Sequence, residues 1–367
     1  MKIALCGRFN TSKKHQGGSA EVFLALAKGL SKRNEVTVFG RGEPTKEIIE
    51  MCKENKIKYY YIPSDSIINI LLGPLRALKL MKKHWNNFDI IHTHIGSFAW
   101  ASTFFRKKSK IITHIHQYLF PKGSNIYVKI YFFLERKLLK IGAKKTNLVI
   151  TVTPYIKEII KKKWKIKNIL VINNGIDFKQ FKFNKKKINK SLFKILYVGR
   201  LTKQKNIDKI INAIPLVRNK IQFDIVGDGE EENSLKKLAL NKDIKNVLFH
   251  GTKNKKELNK FYNISNVLLL VSDFEGQSLT LLEAMATGTP IIASNVEGTR
   301  DIIQNNYNGL LVEPTSEKIA QAIEKLIKNP QLRENLTEKG LKEVQKYSWD
   351  KIVEQTEKVY LEALNER

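Results

Sequence analysis

Short β-branched runs alternate with longer amphipathic stretches along this chain, and the alternation begins twice. Few patterns constrain a fold more, because strands joined by helical crossovers pair in parallel and need helices on both faces of the sheet. The opening MKIALCG reads as a buried strand, the polar loop after it holds Gly17 and Gly18, and a helical period runs from Ser19 to Leu30. EVTVFG, IKYYYI, DIIHTH, KIITHI and LVITVT continue the strands, with helix-like stretches such as IINILLGPLRALKLMKKHW and VKIYFFLERKLLKI between them. After the lysine-rich interval FKQFKFNKKKINKSLF the pattern restarts with FKILYVGRL, IQFDIVGDG, NVLFHGT, NVLLLVS, TPIIAS and GLLVEP. The predicted architecture is α/β, with two Rossmann-like, doubly wound domains at residues 1–181 and 182–346. A helix in 347–367 either closes the second domain or crosses back to the first. With 367 residues and 42% hydrophobic content the chain has material for two such cores.

Charge narrows the choice of partners. The formal net charge of +30 is unevenly spread: residues 1–180 hold 34 Lys and Arg against 11 Asp and Glu, while residues 181–367 hold 31 against 24. The first half is expected either to face something anionic (a membrane surface, a phosphorylated lipid, nucleic acid) or to carry solvated lysine-rich helix faces. IINILLGPLRALKLMKKHW and YLFPKGSNIYVKIYFFLERKLLK mix apolar side chains with lysines, which suits a membrane surface and also ordinary helix cores, with Pro74 and Pro121 interrupting the pattern. No uncharged apolar run approaches the roughly 18 to 20 residues that span a bilayer. Arg8 breaks the first apolar run before it reaches the length of a signal-peptide core. Cys6 and Cys52 stand in no metal-ligand spacing, so neither a disulfide framework nor a cysteine zinc site is expected. The expected setting is cytoplasmic, either free or peripheral at the inner face of the cell membrane.

The segment SDFEGQSLTLLEAMATGTPIIAS carries the most chemistry. Glu275 follows a buried strand, and Glu283 is expected two turns inside the next helix, so both carboxylates face a ligand lying across the helix N-terminus. The amides of Ser278 and Leu279 would point at an anion there, with the helix dipole assisting, and a diphosphate fits. In YVGRLTKQKNID, Arg200 and Lys205 leave the carboxyl end of a strand, the edge at which open α/β sheets bind ligands. Two cations there would neutralise charge growing on a leaving diphosphate without a metal.

These residues resemble family 4 of the retaining glycosyltransferases, which have the GT-B architecture. The resemblance runs from Gly17–Gly18 to the NGLLVEP segment ending at Pro314, and VGRLTKQKN, VGDGEE and FEGQSLTLLEAMATGTPIIAS carry it, with NNGID in support. It implies that Glu275 holds hydroxyls of the transferred sugar, that Glu283 holds the nucleotide ribose, and that Arg200 and Lys205 hold the diphosphate. Gly17 and Gly18 match a first-domain loop whose backbone approaches the donor phosphates, which the absence of a Cβ permits. His116 matches a first-domain histidine that approaches the sugar. Gly276, Gln277 and Ser278 stand where the family often has Gly-Phe-Gly, which bears on the sugar contacts. Asp301 replaces the usual glutamate near Gly298 and receives no role.

The implied activity is a metal-independent hexosyltransferase with no cofactor beyond its nucleotide-sugar donor, acting on a glycan, lipid-linked or small-molecule acceptor. A diphosphate oxygen would take the acceptor proton, with Glu275 positioning the sugar. Neither an Asp-x-Asp metal motif nor a Walker-type loop is present. Alternatives remain. His92–His94 and His114–His116 form two His-x-His pairs at strand ends, a pattern that can hold zinc in a hydrolase. A nucleotide-sugar epimerase shares the architecture and needs no external acceptor. A nucleic-acid-binding protein using the basic first half is the non-enzyme alternative, whereas a glycosyltransferase is expected to take no nucleic acid as partner.

Overall fold

The computed structural model describes residues 1–9, 18–64, 67–118, 126–184 and 192–365. The chain divides into two compact units, Met1–Asn174 with Trp349–Arg367, and Gly175–Ser348. The first holds seven strands: β1 (Lys2–Arg8), β2 (Glu35–Arg41), β3 (Lys58–Ile62), β4 (Ile90–Thr93), β5 (Lys110–Ile115), β6 (Leu148–Thr151) and β7 (Ile169–Val171). They form one parallel sheet in the order β3-β2-β1-β4-β5-β6-β7. Residues 3–6 and all of β4 are buried, as parallel strands covered by helices on both faces require. Strand β7 was not read from the sequence.

The run IINILLGPLRALKLMKKHW is two helices, Ile67–Leu71 and Gly73–Lys83. Pro74 explains the break, since a residue without an N–H fits the first turn of a helix but not its interior. The last helix, Trp349–Asn365, lies against Gly18–Leu30 within the first unit. A Cβ on Gly29 would stand 2.3 Å from Val353 Cγ2, so glycine is what lets the two helices meet. Asn34 Nδ2 donates to Glu357 Oε1 at 2.7 Å, and the buried Tyr360 hydroxyl lies 2.6 Å from His92 Nδ1.

The second unit holds β8 (Phe193–Val198), β9 (Ile221–Val226), β10 (Val247–Phe249), β11 (Val267–Leu270), β12 (Ile291–Ser294) and β13 (Leu310–Val312). They too are parallel, in the order β10-β9-β8-β11-β12-β13. Strand order therefore reverses between β1 and β4 in one sheet and between β8 and β11 in the other. The carboxyl ends of such strand pairs open a crevice where ligands bind. The lysine-rich interval begins inside the second unit: Phe181 is buried edge-on against Tyr262. Its central part, 185–191, lies outside the described residues.

Candidate functional site

The loops leaving β8 and β11 are sewn together at the switch point. Asn206, held at φ 50°, donates from Nδ2 to the Val271 carbonyl at 3.0 Å and to Asp273 Oδ1 at 2.6 Å. Gln204 Nε2 donates to the Phe274 carbonyl at 2.7 Å, and Asp273 N donates back to the Gln204 carbonyl at 2.9 Å. The result is a close ion pair, Lys205 Nζ to Glu275 Oε1 at 2.6 Å, with Ser272 Oγ donating to the same oxygen at 2.5 Å. Both side chains are mostly withdrawn from water, at 14% and 9% exposure, so removing either charge would leave the other poorly solvated. Arg200 is exposed and forms no ion pair with a described residue. Its carbonyl accepts from the Tyr197 hydroxyl at 2.8 Å, and burial first, then the Glu275 charge, push that phenol well above its ordinary pKa, so it stays a donor.

The helix after β11 is Leu279–Ala286, with Ser278 at its N-cap making no side-chain cap bond. Glu283 therefore stands about one turn inside the helix, a correction to the two turns expected from the sequence. The helix starts late because residues 274–278 remain a loop pinned from outside. A Cβ on Gly298 would lie 2.2 Å from the Gly276 carbonyl oxygen and 2.3 Å from that of Glu275. Gly298→Ala should thus cost about 1–3 kcal/mol in stability, and turnover should fall with it because the displaced atoms belong to the Glu275 loop. Wild-type rate and melting temperature in that variant would mean that the loop yields freely. Glu283 is buried and its Oε2 accepts from the Tyr262 hydroxyl at 2.7 Å. Gln277 is also buried, whereas Gly276, Ser278 and Leu279 are half-buried.

The remaining predicted residues belong to the first unit. Gly18 opens the helix Gly18–Leu30 and is exposed, while Gly17 lies outside the described residues. His116 follows β5, half-buried, with Nε2 at 2.8 Å from His94 Nδ1. The two His-x-His pairs sit on neighbouring strands and stack: His92 on His114 at 5.4 Å between centroids, His114 on His116 at 4.3 Å. Burial pushes the His116 pKa down to about 4, and burial with the neighbouring His116 pushes His92 down to about 3. All are neutral at pH 7. The nitrogens of His92, His94 and His114 lie within 4.8 Å of one another, the one group of possible metal ligands among the described residues. The ring planes of His92 and His114 differ by only 5°, which aims their lone pairs side by side instead of at one point.

The structure therefore brings Arg200, Lys205, Glu275, residues 276–279 and Glu283 to one sheet edge, and places Gly18 and His116 in the other unit. Sequence reasoning missed Ser272, Asn206 and Tyr262. The first two lie inside quoted segments, but Ser and Asn are common turn formers and their spacing carries no further signal. Tyr262 stands on a separate helix, where nothing local marks it.

Residues 178–343 match the family model of the glycosyl transferases group 1, and residues 16–180 match that of glycosyltransferase family 4. A glycosyltransferase of Methanocaldococcus jannaschii is 30% identical over 275 residues, 75% of each chain. The Escherichia coli UDP-Gal:alpha-D-GlcNAc-diphosphoundecaprenol alpha-1,3-galactosyltransferase is 29% identical over 288 residues, 71% of this chain and 72% of that one. The fold is similar to that of sucrose-phosphate synthase from Thermosynechococcus elongatus, with a TM-score of 0.82 at 21% identity over 98% of each chain. Two parallel sheets, a site at the switch point of the second and these matches over nearly the whole length lead to one conclusion: the chain belongs to glycosyltransferase family 4, the glycosyl transferases group 1, and is a glycosyltransferase of the GT-B fold.

Proposed function

We propose that the enzyme transfers a hexose from a nucleoside diphosphate donor with retention at the anomeric carbon, without a metal or other cofactor, to a lipid-linked glycan acceptor. The observation that supports this most is the Lys205–Glu275 pair beside the exposed Arg200 at the β8/β11 switch point. A donor diphosphate there meets Arg200 and Lys205, and its arrival gives Lys205 a second anion, freeing Glu275 to accept from sugar hydroxyls. Glu283, oriented by Tyr262, accepts from the ribose. The leaving diphosphate oxygen takes the acceptor proton, so no protein base is needed on that face. For His116, in the first unit and uncharged at pH 7, the resemblance to the family implies a part in handling the sugar. The Escherichia coli relative is named for UDP-galactose and a diphosphoundecaprenol acceptor, which supports UDP as the first nucleotide to test and a lipid diphosphate as the acceptor class.

The test is thermal stabilisation by UDP, GDP and ADP, because a ligand at about 100 times its Kd adds roughly 2.7 kcal/mol. UDP is expected to stabilise most. Glu283→Gln, which leaves Tyr262 a partner, is expected to weaken that effect and raise KM with kcat nearly kept, since a ribose contact exists in ground and transition states alike. Glu275→Ala is expected to lower kcat as well. No stabilisation by any nucleoside diphosphate, or wild-type kinetics in both variants, would remove the donor from this edge.

A further inference from the structure

We infer that one helical face of the first unit docks on an anionic lipid bilayer. The face is built from Ile67–Leu71, Gly73–Lys83 and Ile126–Lys145. The first of these helices packs on the third, and Gly73–Lys83 packs on Gly96–Ser102, which lies in backbone contact with Ile126–Lys145. That contact is close because a Cβ on Gly96 would meet the Glu135 carbonyl oxygen at 2.0 Å and one on Gly142 would meet Ala99 C at 2.5 Å. The layer is therefore a continuous platform.

Its outer side is apolar where a solvated helix would be polar. Ile68 is 66% exposed, Leu75 60% and Phe133 65%, with Leu71, Leu72 and Ile130 also exposed. Single exposed apolar side chains are ordinary, but a cluster on packed neighbouring helices marks a binding surface. Around it the charge has one sign. The two helices within 67–83 contain no acidic residue, and the third contains only Glu135, which is turned inward onto the buried Arg41 at 2.5 Å. Lys79, Lys82 and Lys83 are exposed at one end of the platform and Arg136, Lys137 and Lys144 along the other helix. Apolar groups framed by unopposed cations suit lipid acyl chains beneath anionic headgroups. Nucleic acid would leave the apolar cluster without a partner, and a second copy of the same face would oppose lysine to lysine. No helix among the described residues is long and apolar enough to cross a membrane, so the contact is with the surface. The inference stands independently of the lipid-linked acceptor reading, because it concerns helices of the first unit, whereas the β8/β11 site belongs to the second.

The experiment is flotation of the full chain with vesicles of phosphatidylcholine alone and of phosphatidylcholine mixed with phosphatidylglycerol. Binding is expected to the mixed vesicles only, and to fade between 0.1 M and 1 M salt as the Debye length falls from about 10 Å to about 3 Å. Leu75→Ser with Phe133→Ser is expected to weaken partitioning by at least about tenfold. Lys79→Glu with Lys82→Glu should do the same, each lysine near such a surface being worth about fivefold. Lys161→Glu with Lys162→Glu, on the basic helix Pro154–Trp164 elsewhere in the unit, should change it by less than about twofold. These side chains are exposed, so circular dichroism is expected to match wild type in every variant, and transfer to a soluble acceptor should be unchanged. Binding to both vesicle types alike or to neither, or undiminished binding by the platform variants, would overturn the inference. So would salt-sensitive binding to duplex RNA with vesicles ignored, or a dimer that the apolar double variant splits.

Discussion

Arg200→Ala and Lys205→Ala are each expected to lose about 100- to 1,000-fold in turnover, the usual cost of removing one pre-placed electrostatic donor. A departing nucleoside diphosphate gains negative charge as the glycosidic bond breaks, and the receiving cations must be in position beforehand. The two residues should differ in what else they cost. Arg200 is exposed and without an ion pair among the described residues, so its loss should leave the melting temperature unchanged. Lys205 neutralises a largely buried Glu275, so Lys205→Ala should also melt lower, a carboxylate being left with Ser272 as its remaining donor. Lys205→Ala combined with Glu275→Gln should recover the melting temperature and not the turnover, which separates electrostatic catalysis from structural support. Chelator should leave the wild-type enzyme active, and Mg²⁺ or Mn²⁺ should not rescue either variant. Activity abolished by EDTA and restored by Mg²⁺ would assign the charge to a metal and sink the role given to these two cations.

Acid should destabilise the first unit steeply, through the stacked histidines. In the fold His92 takes a proton only near about pH 3 and His116 near about pH 4, while in the unfolded chain both titrate near the ordinary histidine value of 6.5. Neutral imidazole is thus favoured in the folded state, and the unfolded chain binds more protons as pH falls. The stabilisation is fully present above about pH 6.5 and is lost as pH drops towards the folded values. For His92 alone, wholly buried, the loss by about pH 4 is on the order of 3 kcal/mol. Burial is the first cause, the neighbouring imidazole the second, and the Tyr360 hydroxyl on Nδ1 couples the effect to the last helix. Melting followed from about pH 7 to about pH 4 should therefore show a falling midpoint that flattens in His92→Leu combined with Tyr360→Phe. A wild-type profile without slope over that window, or a slope untouched in the double variant, would show that these histidines are protonated in the fold at little cost.

Local pattern determined a good deal of this protein. Continuous β-branched runs mark buried strands and period-3.6 spacing marks helices, so the six strands of the second sheet and six of the seven in the first are legible as runs, and their alternation with helices implies parallel pairing. The segments around Arg200, Lys205, Glu275 and Glu283 were legible as candidate chemistry because strand ends and helix starts of open α/β sheets collect ligands. Pairing between those segments was not. Lys205 and Glu275 lie 70 positions apart and meet only because β8 and β11 are neighbours in the sheet, an order that no single run encodes. Tyr262 reaches Glu283 from another helix, Gly298 comes up against the Glu275–Gly276 carbonyls from beyond β12, and the last helix brings Tyr360 to His92 across 268 positions. Spacing tells which side chains are withdrawn from water. Which charge or hydroxyl each one meets there depends on through-space neighbours, and those exist only once the sheet order is set.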